Sequence, residues 1–321
     1  AGNEIESVSE PTFHTISSIK PKYQLIEKKE DHINLIKKLL FQEAVAFDTE
    51  TTSLDINEAK LLGISFCFSK NEAYYCDVSK DQSLIHLYND FFNSSTLKIA
   101  HNLKYDYGVL FKYGIQINKY CFDTMLAHYL IDPEKRHNLD QLARNILNYS
   151  PIPIESLIGS KTKPTRKMEE VDLNELKNYA AEDADLAFQL YLNFKEELKS
   201  LDLDYLFTDI EMPLLKVLHD MESKGIKINI SSLNDLSKKL KLSLSTLESS
   251  IHNHSGDSFN IDSPKQLGEV LFGKLVLDEK AKKTKTGQYK TDEATLNKLE
   301  GTHPIINDIL NYRTRKKFYS F

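Results

Sequence analysis

Residues 43–78 hold three strand-length apolar runs, EAVAFDTE, LLGISFCF and EAYYCDV, joined by polar segments. Side chains along a strand alternate between faces, so this pattern specifies an antiparallel meander with at least one buried side. The first run ends on two acids one residue apart. Asp48 and Glu50 therefore point the same way, with Ala46 beneath them. Two carboxylates on one face repel each other, which a bound cation would relieve. Read alone, the pair is either a metal site or the solvated end of a strand. The same spacing recurs at Asp183/Asp185, Asp202/Asp204, Asp209/Glu211 and Asp220/Glu222, so the rest of the chain has to decide.

Around the meander, strand and helix signals alternate. HINLIKKLLF (32–41) has helical periodicity, LKIAHN (97–102) reads as a fourth strand, and LKYDYGVLFKYG (103–114) as a helix that Gly114 terminates. Two more helices begin at plausible N-caps, Asp123 and Asn138. Residues 159–171 form a Lys/Thr/Pro loop. A long helix follows from Asp172, which makes a capping box with Glu175. The pattern predicts an α/β domain over 23–200. Residues 201–321 read as mainly helical: a helix near 205–224, a short strand IKIN (226–229), a polar helix over about 231–253, a cap at Ser263 with Pro264 in the first turn, and a basic loop EKAKKTKTGQYKTDE. Residues 1–22 are rich in Ser, Glu and Pro without periodicity and read as a linker or disordered segment. The chain starts on Ala and stops in a capless helical stretch, ILNYRTRKKFYSF, so a piece of a longer protein is expected.

With 321 residues the chain is long enough for two domains. No apolar run approaches a membrane span. Three cysteines, Cys67, Cys76 and Cys121, lack metal-type spacing and suggest reduced thiols. The net charge of −6 excludes a uniformly basic nucleic-acid binder, yet the charge is uneven. Residues 201–321 carry 18 Lys+Arg against 17 Asp+Glu, which leaves −7 for residues 1–200.

Further acids fall at structured positions. Asp106 lies in the first turn of the helix after the fourth strand. Asp183 lies on the long helix with Tyr179 one turn before it, so phenol and carboxylate share a face. Asp48, Glu50, Asp106 and Asp183 could gather two divalent cations, and hard oxygen ligands suit Mg²⁺ or Mn²⁺. Such a site suits phosphodiester hydrolysis: one ion lowers the pKa of water and the other stabilises the leaving oxygen. Tyrosine ordinarily loses its proton near pH 10, so Tyr179 would orient the attacking water rather than act as a base. Bland readings stand beside these. Tyr179 also reads as a half-buried helix tyrosine, Asp106 as a carboxylate complementing a helix N-terminus, and Asp183 as a solvated acid beside Glu182 and Asp185.

The motifs FDTET.SL, HNLKYD, FDTMLAHYL, RHNLDQLA and YAAEDAD occur in that order. Together they resemble the proofreading 3′-5′ exonuclease domain of the bacterial DNA polymerase I family, the family A or Klenow-type polymerases. The resemblance covers about residues 40–200. It continues through IEMPLLKVLHDMESKGIKI, FNIDSPKQLGEVLF and ILNYRTRKKFYS into the stretch that leads to the polymerase thumb. It implies a ribonuclease H-like fold, a mixed sheet flanked by helices, followed by a helical thumb-like segment of a truncated polymerase domain. It also implies that Asp48 bridges two cations, that Glu50 and Asp183 hold the first, that Asp106 reaches the second mostly through water, and that Tyr179 positions the nucleophile. Asn178 stands where a related class carries histidine, which favours the tyrosine class. Leu54 would be a wedge beside the terminal base, with His101, Asn102 and Tyr105 near the last phosphates and Arg136 along the strand's path. His101 and Ile154 depart from the glutamine and the aromatic that relatives often carry. Without the family, Leu54 reads equally as a packing turn leucine and Arg136 as a surface arginine.

Lys280, Lys282, Lys283 and Lys285, with Lys290, lie in an acid-free stretch that is either a solvated loop or a duplex contact beside a thumb. The implied partners are a single-stranded or frayed 3′ DNA end and a primer-template duplex, met by a cytoplasmic, nucleoid-associated monomer with no membrane contact. Motifs of the form DYSQIE, RRxxKxxxYG and HDE, which the polymerase reaction requires, do not occur in these residues. Two other readings share parts of the pattern: a non-catalytic DNA-holding module, and a ribonuclease D-like RNA exonuclease. The complete acid set argues against the first, and the polymerase-like segment against the second.

Overall fold

The computed structural model describes residues 13–160 and 162–320. The chain divides into two compact units, 1–225 and 226–321. In the first, six strands form one mixed sheet: β1 (Lys22–Ile26), β2 (Ala44–Thr51), β3 (Leu61–Ser69), β4 (Glu72–Asp77), β5 (Leu97–Ala100) and β6 (Cys121–Asp123). Their order is β1-β4-β3-β2-β5-β6. The expected meander is β2-β3-β4, antiparallel throughout. β1 joins β4 in parallel, and β5 and β6 extend the other edge in parallel. Sequence reading missed β1 and β6, because five and three residues with little alternation carry no readable period.

Alternation along the meander builds two cores. Val45, Phe47, Ile64, Phe66 and Tyr74 face one side and pack on helix Lys29–Leu40 and on residues 85–92. Ala46, Cys67 and Ala73 face the other side, where helix Leu173–Ser200 lies across all the strands from β1 to β5. That helix brings alanines to the contact: Ala180, Ala181, Ala184 and Ala187 are essentially inaccessible. Small side chains let the helix approach the sheet closely. Asp48 and Glu50 continue the Ala46 face and so point toward this helix. Beside them, Gly63 pairs with Glu50, and a Cβ there would collide with the Tyr75 ring.

Two expectations are corrected, and the compact unit extends beyond a third. The described part of the supposed linker is ordered: a turn of helix spans Ile16–Ile19 and His14 bridges to Tyr149, while residues 1–12 lie outside the described residues. By its internal packing, the first compact unit runs past the expected boundary at 200/201. Phe207 enters the core beneath the long helix, Leu215 joins the opposite core, and His219 packs edge-on against Tyr107 and Phe111. Residues 226–229 form no strand, since no neighbouring strand offers them a ladder.

The second unit is mainly helical. Helix Ile230–Ser255 pairs with helix Pro304–Tyr319 over a core of Ile251, Leu271, Phe272, Leu296, Ile305 and Ile309. The cap at Ser263 is present, its hydroxyl accepting from Gln266 N–H at 3.4 Å. The basic segment is more ordered than its composition suggests. Lys283 bridges to Tyr289, its ammonium 4.4 Å from the ring centre, and Tyr289 packs on Phe272. Among the described residues, no helix is long and apolar enough to cross a membrane.

Gly63→Ala is expected to overpack the Tyr75 contact and cost about 1–3 kcal/mol of stability. Urea unfolding should show a lowered midpoint at unchanged slope; an unshifted midpoint would mean the ring can yield.

Candidate active site

The site arises where the sheet runs out of partners. β2 pairs with β5 only as far as Ala46–Ile99. Beyond that point Asp106 replaces the missing ladder, its Oδ1 accepting from Thr49 N–H at 3.0 Å and from the Thr49 hydroxyl at 2.6 Å. Asp106 is held there by the turn before its helix, Leu103–Lys112. Asn102 takes a left-handed conformation, φ 65°. The buried Asp123 carboxylate then accepts from both Asn102 and Leu103 N–H, at 3.1 and 2.9 Å. Asp123 also caps its own helix through Met125 and Leu126 N–H, as expected. One carboxylate thus fixes two helix starts, which spacing along the chain does not reveal.

Asp183 comes from the long helix. Its neighbours are not the solvated acids that composition suggests. Glu182 is fully buried and accepts from Tyr149 Oη at 2.5 Å and Ile152 N–H at 2.6 Å. Asp185, nearly as buried, accepts from Tyr23 Oη at 2.8 Å and Asn71 N–H at 3.1 Å. These bonds tie the helix to β1, to the β3–β4 turn and to the segment after Asn148, and so fix where Asp183 points. The alanines of YAAEDAD were the available signal, since acids sharing a face with them must be buried. At the helix start Asp172 caps Asn174 and Glu175 N–H. Glu175 instead binds Arg166 at 2.9 Å, so the reciprocal arm of the capping box is replaced by an ion pair.

The outcome is one cluster. Carboxylate oxygens of Asp48, Glu50 and Asp183 lie within 4.8 Å of one another, the only such metal-capable group among the described residues. Asp106 stands outside it, turned to Thr49. Burial and mutual charge raise all four acids. Asp48 is raised well above the usual range by burial, then by Asp106 and Asp183. Glu50 is raised by burial, Asp48 and Asp106, and Asp183 by burial, Glu50 and Glu182. Asp106 is pushed up to about 7 by burial, which outweighs the Thr49 bonds. Tyr179 is raised chiefly by the Asp183 charge and then by burial, so it stays protonated. A group of hard oxygens at this spacing that resists ionisation fits a divalent cation, which would supply the missing charge.

The other expected contacts are more scattered. Leu54 is 91% exposed on the segment after β2. Tyr105 turns to that segment, its hydroxyl donating to Ser53 O at 2.8 Å. His101 faces inward: Nδ1 meets Thr124 Oγ1 at 2.9 Å, Nε2 has no partner, and burial pulls its pKa down to about 4. The His101 ring is thus held against Thr124. Arg136 is exposed between two helices, and Lys280, Lys282, Lys283 and Lys285 are exposed in the second unit.

Comparison with known proteins agrees with this geometry. A family model described as 3′-5′ exonuclease matches residues 23–199, and one described as DNA polymerase family A matches residues 230–321. The chain is 35% identical to a DNA polymerase I of Borreliella burgdorferi, over 96% of this chain and 34% of the relative. It is 38% identical to one of Synechocystis sp., over 86% and 29%. The chain thus spans about a third of the length of these curated relatives. A solved structure, the POL domain of Pol1 from M. smegmatis in complex with DNA primer-template and dNTP, superposes with a TM-score of 0.70 at 21% identity, covering 92% of this chain and 49% of that one. That likeness speaks to the fold.

Raised acids have a linked effect on stability. The native state holds protons that the unfolded chain has released above its ordinary carboxyl values, about pH 4. The site's contribution is therefore present at low pH and lost as pH climbs through the native values, near 7 for Asp106. Without cations, Tm should fall from pH 5 to pH 8 more steeply than in Asp48→Asn. Mg²⁺ or Mn²⁺ should raise Tm at pH 8, by an amount worth about 2.7 kcal/mol at 100 times the Kd, barely raise it at pH 5, and lose this effect in EDTA. Scanning calorimetry with an equal shift at both pH values would contradict the assignment.

Proposed function

We propose, on the premise that this chain belongs to the DNA polymerase I family and carries its 3′-5′ exonuclease domain, that it removes the terminal nucleotide from 3′ ends of DNA by metal-dependent phosphodiester hydrolysis in the four-acid-plus-tyrosine manner. The observation that carries this is the convergence of Asp48, Glu50 and Asp183 oxygens within 4.8 Å on the face of the long helix. Two divalent cations, Mg²⁺ or Mn²⁺, would be held by Asp48, Glu50 and Asp183 with Asp106 beside them, and they supply a lowered pKa for water and charge to stabilise the leaving oxygen.

The protein's own groups do the rest. Asp48, Glu50 and Asp183 would hold the cations between the strand and the helix. Asp106, held on Thr49, would assist mostly through water. Tyr179 keeps its proton and shares it with Asp183, and its oxygen would accept from the attacking water and so orient it toward phosphorus. The water oxygen gives up a proton and bonds to phosphorus, the bond to the 3′ oxygen breaks, and that oxygen takes up a proton as the nucleotide leaves, so that no proton is gained or lost overall.

The family A match over 230–321 favours DNA over RNA. A site of four carboxylates repels a duplex backbone and favours a single strand, so frayed ends are preferred: a mismatched terminus has already lost its pairing energy. The second unit's lysines supply phosphate contacts to a primer-template duplex without reading bases. The same reading describes a monomer acting at the cytoplasmic nucleoid.

Asp48→Ala or Asp183→Ala should lower nucleotide release by more than about 100-fold, beyond what losing a supporting group costs, with the fold intact by circular dichroism. Tyr179→Phe should be milder. Near wild-type cleavage by Asp48→Ala of a 5′-labelled single strand would sink the assignment. Replacing Lys280, Lys282, Lys283 and Lys285 with Ala should flatten the dependence of duplex affinity on log salt by about 0.9 for each phosphate that is no longer neutralised. Short-strand cleavage should be unchanged, and an unaltered slope would return these lysines to the role of a solvated turn.

A further inference from the structure

Helix Leu103–Lys112 does more than carry Asp106. Tyr105, Gly108 and Lys112 recur at helical spacing and share one face, and the segment 51–59 lies along that face. At its start the Tyr105 hydroxyl donates to Ser53 O at 2.8 Å and meets Thr51 Oγ1 at 2.5 Å. In the middle Ile56 fills the space above Gly108, where a Cβ would stand 2.8 Å from Ile56 Cδ1. At its end Lys112 Nζ donates to three backbone carbonyls, Ile56 O at 3.2 Å, Asn57 O at 2.8 Å and Ala59 O at 2.8 Å. The segment also closes on itself, Thr52 N–H donating to Lys60 O at 3.0 Å and Lys60 N–H to Thr52 Oγ1 at 3.0 Å.

A segment anchored at both ends would ordinarily bury its largest apolar residue. Here Leu54, four residues past Glu50, is left 91% exposed. An apolar side chain on a free loop would fold back onto the surface. On a clamped one it stays where the backbone holds it, and ordering it beforehand removes that cost from binding.

We propose that Lys112 is a positioning residue: by drawing three carbonyls onto the helix face it fixes segment 51–59, so that Leu54 stands as a rigid apolar finger against the terminal base pair of a DNA end, and the enzyme's handling of paired ends depends on it. This rests on the exonuclease reading above. Lys112 touches neither the carboxylates nor the strand, and its exposed side chain can be changed without opening the core. Gly108 has a supporting part, admitting Ile56 beneath the segment.

The test is a double-mutant cycle of Leu54→Ala and Lys112→Met in the full chain with Mg²⁺, read as kcat/KM on a blunt duplex and on a single-stranded oligonucleotide, with hydrogen exchange of the 53–59 amides beside it. Each single variant should lose about tenfold on the duplex, Lys112→Met should lose less than about twofold on the single strand, and the double variant should be no worse on the duplex than either single one. Exchange at 53–59 should quicken about tenfold in Lys112→Met and be restored in Lys112→Arg, which keeps donors in reach of the carbonyls. Additive losses in the double variant, or unchanged exchange at 53–59, overturn the role of Lys112 alone. A wild-type protein that releases no nucleotide from any DNA overturns the exonuclease reading and this role together.

Discussion

Three carboxylates within 4.8 Å of one another are the constraint around which the first unit is built. At that separation two ionised groups repel by about 3–4 kcal/mol per pair at an effective dielectric constant of about 20. Nothing in the cluster itself opposes this. The opposition comes from what surrounds it: a strand laddered on β3 and held past Ala46 by Asp106 through Thr49, and a long helix seated on that strand through alanines. Burial, and then the charge of the neighbouring acids, raises the pKa of every member, and a divalent cation would relieve both. A site of this kind binds its cation because the fold holds the ligands together against their own repulsion.

The anchors that resist the repulsion are themselves acids, used in the opposite way. Glu182, Asp185 and Asp123 are buried, but each accepts two or more hydrogen bonds from backbone or phenolic donors. Carboxylates with several donors fix geometry, and those with few, such as Asp183 with Tyr179 beside it as a donor, attract a cation. Glu182 and Asp183 are neighbours in the chain yet fall on opposite sides of that division. Helix geometry turns one toward the segment after Asn148 and the other toward β2. Asp106 lies between the two kinds: two donors from Thr49 satisfy one oxygen, and its charge still reaches Asp48 and Glu50.

The helix that carries Asp106 couples chemistry to substrate handling. Asp123 sets its start, Asp106 completes the β2 edge, and its outer face holds the segment on which Leu54 stands. These features occupy a single short helix, so displacing it would disturb cation binding and strand-end contact together. That helix Met212–Lys224, far along the chain, packs on it through His219 explains why the first unit runs on to Gly225.

Much of this was written in the sequence. The meander, the shared face of Asp48 and Glu50, the long capped helix and the pairing of Tyr179 with Asp183 follow from local periods of two and about 3.6, which the chain states directly. Runs too short for a period, β1 and β6, were not legible, and IKIN carried a strand's alternation without a partner to pair with. Ordered motifs pointed to the family. What only the tertiary structure decided is which acids meet, which are satisfied and which way the side chains turn: Asp106 to Thr49, His101 inward to Thr124, Glu182 to Tyr149, Lys112 to three carbonyls. The reason is physical. Periodicity is a property of neighbours along the chain, whereas the charge state and partners of a buried carboxylate are set by groups brought together from distant residues, and no local pattern encodes that distance.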